Sequence, residues 1–183
     1  KDTIFLDADS HSSIYDGCTL SGAKLVRFRH NDATDLDKRL MRSEGEEGGR
    51  LVVVEGIYSM LGDRAPLTDF VAVKKKHGFQ LLADEAHSFG VLGPHGRGLA
   101  DEAGVEDDID FIVGTFSKSV GAIGGFGAGN HPLFETLRYA MRPYMFTASS
   151  SPASIATSLA AIQKRAAEPE RRDRLRANSA RLF

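Results

Sequence analysis

The chain has 183 residues, of which 42% are hydrophobic and 26% are charged, and its formal net charge at pH 7 is −2. This composition is typical of a globular protein with one sizeable core, and the scattered Lys and Arg residues form no basic stripe of the kind that binds nucleic acid. No apolar run is long enough to span a membrane, and the single cysteine, Cys18, cannot form an internal disulfide. We therefore expect a cytoplasmic protein without a transmembrane segment and without a nucleic-acid partner.

Short apolar runs alternate with helical patterns along the chain. Leu36 and Leu40 have the four-residue spacing of one helix face, and Gly22 and Gly78 are typical helix ends. The β-branched run LVVVEG predicts a strand that is buried on both faces. The predicted helices are residues 11–22, 32–43, 66–78, 131–141 and 151–166, and the predicted strands are residues 3–9, 24–30, 51–56, 79–84, 109–115 and 124–129.

This alternation predicts an α/β fold, with a mainly parallel sheet that carries helices on both faces. Ligands bind such sheets at the carboxyl ends of the strands, so polar residues that directly follow apolar runs are candidate site residues. His11 follows the first predicted strand, Ser59 follows the third, Asp84 and His87 end the fourth, and residues 115–118 end the fifth.

Lys118 lies among small residues in the segment VGTFSKSVGAIGGFG. A lysine amine attacks carbonyl groups when desolvation or a positive neighbour lowers its pKa. The short hydroxyls of Thr115 and Ser117 suit phosphate oxygens, and the following glycines allow the backbone to approach a ligand closely. The alternative interpretation is an exposed lysine in a loop of serine and glycine.

Asp84 ends the apolar run LLAD, where a partly desolvated carboxylate needs a cationic partner. A protonated pyridine nitrogen is such a partner, and pyridoxal phosphate combines that ring with a lysine Schiff base. His87 can face the same site, and the flat imidazole of His11 suits stacking on a pyridine ring. The alternatives are a helix cap for Asp84 or His11, a turn histidine for His87 and ordinary turn chemistry for Ser59.

Four segments together resemble the α-oxoamine synthases, which are pyridoxal-phosphate enzymes of the aspartate-aminotransferase fold, known as fold type I. These segments are EGIYSMLGDRAPL, DEAHSFGVLGPHGRG, GTFSKSVGAIGGF, and HSSIYDG with FRHND, and the resemblance covers essentially the whole chain. It implies the large-domain core of such an enzyme. The family's carboxylate-binding arginine, its small C-terminal domain and its N-terminal segment lie outside these residues, so we expect residues 1–183 to be the central part of the large domain.

The resemblance also implies a role for each candidate residue. Lys118 is expected to hold the cofactor as a Schiff base and to act in catalysis together with His11 and His87. Three contacts are implied at the cofactor ring: Asp84 pairs with the pyridinium nitrogen, His11 stacks on the ring, and His87 and Ser59 lie at the ring face and phenolate side. The implied phosphate contacts are Thr115 and Ser117. Thr147, in RPYMFTAS, is implied to contact the phosphate of the cofactor bound to the partner subunit. A homodimer with shared active sites follows from that last contact.

Within the family, the segments TFSKSVG, NHPLFETLR and RPYMFTAS are most similar to the soluble bacterial serine palmitoyltransferases, although residues 147–156 depart from that branch after Thr-Ala-Ser. The implied reaction is the decarboxylative condensation of L-serine with a long-chain acyl-CoA to give a 3-keto amine, CoA and CO2, as in the first step of sphingolipid synthesis. The alternatives are relatives that use glycine or L-alanine, namely 2-amino-3-ketobutyrate CoA ligase or 8-amino-7-oxononanoate synthase, or a non-catalytic relative. The presence of Lys118 disfavours the non-catalytic relative.

Two short motifs and one group of residues are also typical of other classes of protein. DEAH is a helicase signature, but the chain has no Gly-Lys pair for a phosphate-binding loop. SGAK matches the Ser-x-x-Lys motif of penicillin-binding enzymes, but Ser-Asp-Asn and Lys-Thr-Gly are absent. A metal site formed by Asp84, His87 and His95 is disfavoured because His95 lies in the turn-forming segment GPHGRG, so we expect no metal.

Overall fold

The computed structural model describes residues 1–132 and 134–182, and within them one six-stranded sheet runs through the molecule. The strands are β1 (Thr3–Asp7), β2 (Lys24–Phe28), β3 (Arg50–Glu55), β4 (Gln80–Asp84), β5 (Phe111–Thr115) and β6 (Gly125–Ala128). Their order is β2-β1-β3-β4-β5-β6. The first five strands are parallel, and β6 pairs antiparallel with β5. The predicted α/β fold with a mainly parallel sheet is confirmed.

Helices connect the strands, and capping residues determine where several of these helices begin and end. The helices are α1 (Ser12–Ser21), α2 (Ala33–Arg42), α3 (Leu67–His77), α4 (Leu99–Ala103), α5 (Leu137–Ala140), α6 (Arg142–Met145), α7 (Pro152–Ala167) and α8 (Glu170–Leu182). Helix α2 begins where Asp32 accepts the N–H of Asp35 at 2.7 Å. Helices α1 and α3 end at Gly22 and Gly78, whose φ angles of 69° and 67° lie in the left-handed region that favours glycine. Among the described residues, we find no helix with both the length and the hydrophobicity needed to cross a membrane.

The core lies on both faces of the sheet because side chains alternate along each strand. On one face, Phe5 of β1 and Val52 and Val54 of β3 pack with buried residues of α2, α3 and α4. On the other face, Leu6 and Val53 pack with Cys18 of α1. The predicted placement of helices on both faces is therefore confirmed.

The helix predicted over residues 131–141 is correct only in part. Leu133 lies outside the described residues, and helical structure is limited to a short 3-10 helix at Phe134–Thr136 that continues directly into α5; α6, which follows Met141, was not predicted. Pro143 lies in the first turn of α6. Proline has no N–H with which to continue the hydrogen bonding of α5, so the chain bends at Met141, where the backbone is extended. Helix α4 was not predicted, since five residues are too few to show a helical period.

Candidate active site

A cavity of about 340 Å3 opens at the carboxyl ends of β3, β4 and β5, beside the start of α1. It is lined by six of the residues that the sequence singled out, namely His11, Asp84, His87, Thr115, Ser117 and Lys118. The parallel order of these strands explains the convergence, because their carboxyl ends lie along the same edge of the sheet.

Asp84 is the last residue of β4 and is half-buried. Its Oδ1 accepts the N–H of Ala86 at 2.8 Å, which fixes the carboxylate at the start of the following turn. Asp84 therefore caps a turn and not the helix that the alternative interpretation required, since the next helix, α4, begins at Leu99. The same side chain also lines the cavity, where it supplies a negative charge.

Lys118 lies at the tip of a tight turn between β5 and β6. The turn is closed by backbone hydrogen bonds from Phe116 to Gly124 at 2.8 Å, from Ala122 to Phe116 at 2.7 Å, and from Gly121 to Lys118 at 3.0 Å. Lys118 is exposed in this structure. The turn places a primary amine at the edge of the cavity.

Two hydroxyl groups lie beside this lysine. Thr115 Oγ1 and Ser117 Oγ are 2.8 Å apart, and Thr115 Oγ1 also accepts the N–H of Ser117 at 3.2 Å. Thr115 in turn donates to the carbonyl of Gly124 at 3.2 Å, which connects the pair to β6. The hydroxyls therefore have fixed positions on one wall of the cavity, where they can bind an anionic oxygen.

His11 is the N-cap of α1, and its ring lines the cavity as well. Its Nδ1 accepts the N–H of Ser13 at 3.2 Å. A neutral imidazole that accepts at Nδ1 carries its proton on Nε2. Capping and cavity lining, which the sequence presented as alternatives, are both true of this residue.

His87 lies on the cavity wall between charged neighbours. Burial is the largest cause that lowers its pKa, the Lys118 ammonium lowers it further, and Asp84 partly opposes the shift. The imidazole is therefore neutral at pH 7, and it can either donate or accept a hydrogen bond.

Glu55 also lines the cavity and was missed by the sequence analysis. It ends β3 directly beside Asp84, with which it pairs in register, and it is only 3% exposed. Burial raises the pKa of this carboxyl, the N–H of His11 opposes the shift, and the charge of Asp84 adds to it. A carboxylate at the end of an otherwise apolar run was the available signal, and it was applied only to Asp84.

Glu85 has a structural role next to the cavity. It is fully buried and accepts the N–H groups of Leu99 and Ala100, both at 2.9 Å, and a hydrogen bond from the hydroxyl of Ser88. These bonds attach the start of α4 to the end of β4. The acidic pair of the DEAH segment is therefore divided between one cavity residue and one structural residue.

Three other candidate residues lie outside the cavity lining. Ser59 is exposed in the connection after β3, and Thr147 is exposed after α6, so their roles stay predictions. His95 contacts Asp101 at 2.9 Å instead of joining Asp84 and His87. Within residues 1–132 and 134–182, no three His, Cys, Asp or Glu side chains are arranged to hold a metal ion.

Comparison with known proteins identifies the family. The family described as aminotransferase class I and II matches residues 1–183. The chain belongs to this family. It is 59% identical over 182 residues to a serine palmitoyltransferase of Caulobacter vibrioides, covering 100% of this chain and 45% of that protein. It is 45% identical over 181 residues to an 8-amino-7-oxononanoate synthase of Anaeromyxobacter dehalogenans, covering 99% of this chain and 45% of that protein.

A solved structure gives the same result. The serine palmitoyltransferase variant from S. paucimobilis, bound to a PLP–myriocin aldimine, superposes with a TM-score of 0.93 at 56% identity, covering 97% of this chain and 44% of that one. The resemblance to the α-oxoamine synthases and to fold type I is confirmed. The chain spans about 45% of the length of the curated relatives it matches.

Proposed function

We propose that this chain forms the cofactor-binding core of a pyridoxal-phosphate-dependent α-oxoamine synthase that condenses L-serine with a long-chain acyl-CoA. The observation that carries this proposal is the cavity in which a lysine amine, a half-buried carboxylate and a hydroxyl pair meet at the ends of neighbouring strands. The identity of 59% to a serine palmitoyltransferase supports the choice of reaction. The products would be a 3-keto amine, CoA and CO2.

The residues of the cavity fit pyridoxal phosphate by their chemistry. The cofactor has an aldehyde, a ring nitrogen that is basic enough to hold a proton, and a phosphate, and the cavity offers a matching group for each. Lys118 would bind the aldehyde carbon, and Asp84 would pair with the protonated nitrogen. Ser117 would donate to a phosphate oxygen, and Thr115 would do the same by turning its hydroxyl proton away from the Gly124 carbonyl. When bound, the cofactor supplies an electron sink for the charge that develops at the α carbon of the amino acid.

The chain's own residues supply the proton chemistry. Lys118 lines the cavity, and we assign to its Nζ the removal of the α proton of the amino acid. His87 is neutral at pH 7 and can hydrogen-bond the cofactor's phenolate oxygen. The contact of His11 Nδ1 with the N–H of Ser13 fixes the orientation of the imidazole, whose flat face can lie against the cofactor ring.

Covalent labelling of the intact protein tests the cofactor assignment. After incubation with pyridoxal phosphate and reduction with borohydride, peptide mapping should find the pyridoxyl group on Lys118. Lys74 provides an internal control, because its Nζ lies 2.6 Å from Asp110 Oδ2 and outside the cavity. A label on Lys74 in place of Lys118 would refute the assignment.

The amino-acid substrate is tested by the concentration at which it changes the cofactor absorbance. We expect L-serine to act at lower concentration than glycine or L-alanine, because the site would form a hydrogen bond with the serine hydroxyl. When glycine or L-alanine binds, the polar group of the site stays unpaired, which costs about 1–3 kcal/mol of binding free energy. Palmitoyl-CoA should release CoA faster than acetyl-CoA, since each missing methylene forfeits roughly 0.8 kcal/mol of burial.

The second candidate is a synthase that uses glycine or L-alanine, and the identity of 45% to an 8-amino-7-oxononanoate synthase supports it. A clear preference for one of these amino acids would replace the serine assignment and keep the family.

We also propose a homodimer in which Thr147 reaches the cofactor phosphate of the other subunit. The cytoplasmic location and the assignment of residues 1–183 to the central part of the large domain stay predictions.

A further inference from the structure

Glu55 is a buried carboxylate in the cavity that the proposed chemistry does not use. It lies at the end of β3, and only 3% of the residue is exposed. Burial of a carboxylate is costly unless hydrogen bonds compensate it, so its partners indicate what it does.

The partner of Glu55 is the backbone of a residue proposed to contact the cofactor. Its Oε1 accepts the N–H of His11 at 2.5 Å, a contact between residues 44 apart in sequence. The bond connects the end of β3 to the segment between β1 and α1. On the other side of His11, the ring nitrogen Nδ1 accepts the N–H of Ser13. The two bonds together fix both the backbone and the ring of His11 at the cavity edge.

We propose that Glu55 is a positioning residue, which holds the His11 backbone so that the imidazole lies against the cofactor ring. This inference rests on the proposed function for the role of His11, although the contact between Glu55 and His11 can be tested without any cofactor. Asp84, the neighbouring carboxylate, is excluded from this role because its Oδ1 accepts from Ala86 instead.

Hydrogen exchange of the His11 amide in the apo form of the intact protein tests the contact. In Glu55→Ala the amide should exchange roughly ten- to a hundredfold faster, the range for losing a hydrogen bond to a charged group. In Glu55→Gln the amide oxygen can still accept a neutral hydrogen bond, so exchange should be about two- to tenfold slower than in Glu55→Ala. Mass spectrometry with residue-level fragmentation measures both rates.

Glu85→Gln is the matched control, because Glu85 is equally buried and accepts from Leu99 and Ala100 instead of His11. It should leave the His11 amide at the wild-type rate. An unchanged His11 rate in Glu55→Ala overturns the proposal, and so does an equally large increase in Glu55→Gln. If Glu55→Ala does not fold, Glu55→Asp replaces it, since its side chain is one methylene too short, and an unchanged His11 rate there also overturns the proposal.

A double-mutant cycle in the holoprotein tests whether the contact acts through His11. Glu55→Ala should weaken pyridoxal phosphate binding roughly two- to tenfold, the range of one ring contact. In the His11→Ala background it should cause no further loss, because the ring that it positions is absent. Additive losses, or no loss in the single variant, would overturn the positioning role. Absence of the Lys118 label would refute the proposed function and leave the exchange result standing.

Discussion

Gly90 is the position at which one added methyl group should disturb the Lys118 turn. Its φ of 81° is left-handed, and a Cβ there would lie 2.6 Å from Ser119 Oγ and 2.8 Å from Ser119 Cβ. Ser119 follows Lys118 and cannot easily move, because its hydroxyl donates to the carbonyl of Phe89 at 2.6 Å. An L residue in this conformation costs about 1–2 kcal/mol, and crowding of a packed site adds about 1–3 kcal/mol. Gly90→Ala should therefore lower the free energy of unfolding by about 2–5 kcal/mol.

Gly78→Ala separates the two contributions. Its φ of 67° is also left-handed, but a Cβ there would meet no atom within 4 Å, so only the backbone cost of about 1–2 kcal/mol applies. Urea denaturation should show the larger loss for Gly90→Ala, and that variant alone should bind pyridoxal phosphate more weakly. Adding Ser119→Gly to Gly90→Ala removes the contacted atoms and should recover the difference. Equal losses in the two single variants would refute the reasoning.

Three further experiments test residues inside and outside the cavity. Asp84→Asn should keep the fold, because an amide oxygen can still accept the N–H of Ala86, yet lower kcat by about a hundredfold or more through loss of a fixed charge; normal turnover would contradict the assigned role. Mixed dimers of Lys118→Ala and Thr147→Ala subunits should recover activity, since one site carries both defects and the other neither, and no recovery despite proven subunit exchange would count against shared sites. His30→Gln should destabilise the protein more at pH 6 than at pH 9 by urea denaturation, and a pH-independent loss would contradict the proposed charge on His30.

The site could be predicted largely because of one topological rule. Polar residues after apolar runs, such as Asp84 and Lys118, are local features of the sequence, and parallel strands bring their carboxyl ends to one edge. The predicted strand ends therefore identified six of the residues that line the cavity, although Glu55 was missed and Ser59 lies outside the lining. Capping by His11 was visible as well, because an N-cap is a local contact between neighbours in the chain.

Contacts between distant segments could not be predicted. The bond from His11 to Glu55 depends on the register of β3 beside β1, and strand register is not a property of either strand alone. Helix α6 was not predicted because its four residues are too few to show a helical period. Thr147 is exposed in the single chain, and its proposed contact belongs to a second subunit.

His30, which follows β2, connects that segment to the end of β1 and to the connection after β3, and these contacts explain the sign of its pH dependence. Its ring lies 2.8 Å from both Asp7, at the end of β1, and Asp63, in the connection after β3, with Asp9 at 3.7 Å and Tyr58 edge-on at 4.5 Å. Burial opposes the charged imidazole, but the hydrogen bonds and charges of Asp7 and Asp63 outweigh it, so the pKa of His30 is raised. A raised pKa contributes stability that is complete below the unfolded value of about 6.5 and is lost as the pH rises through the folded value. Glutamine carries no such charge, so the difference between wild type and His30→Gln should shrink from pH 6 to pH 9. A difference that grew with pH would mean that His30 is held as the neutral imidazole between the two carboxylates.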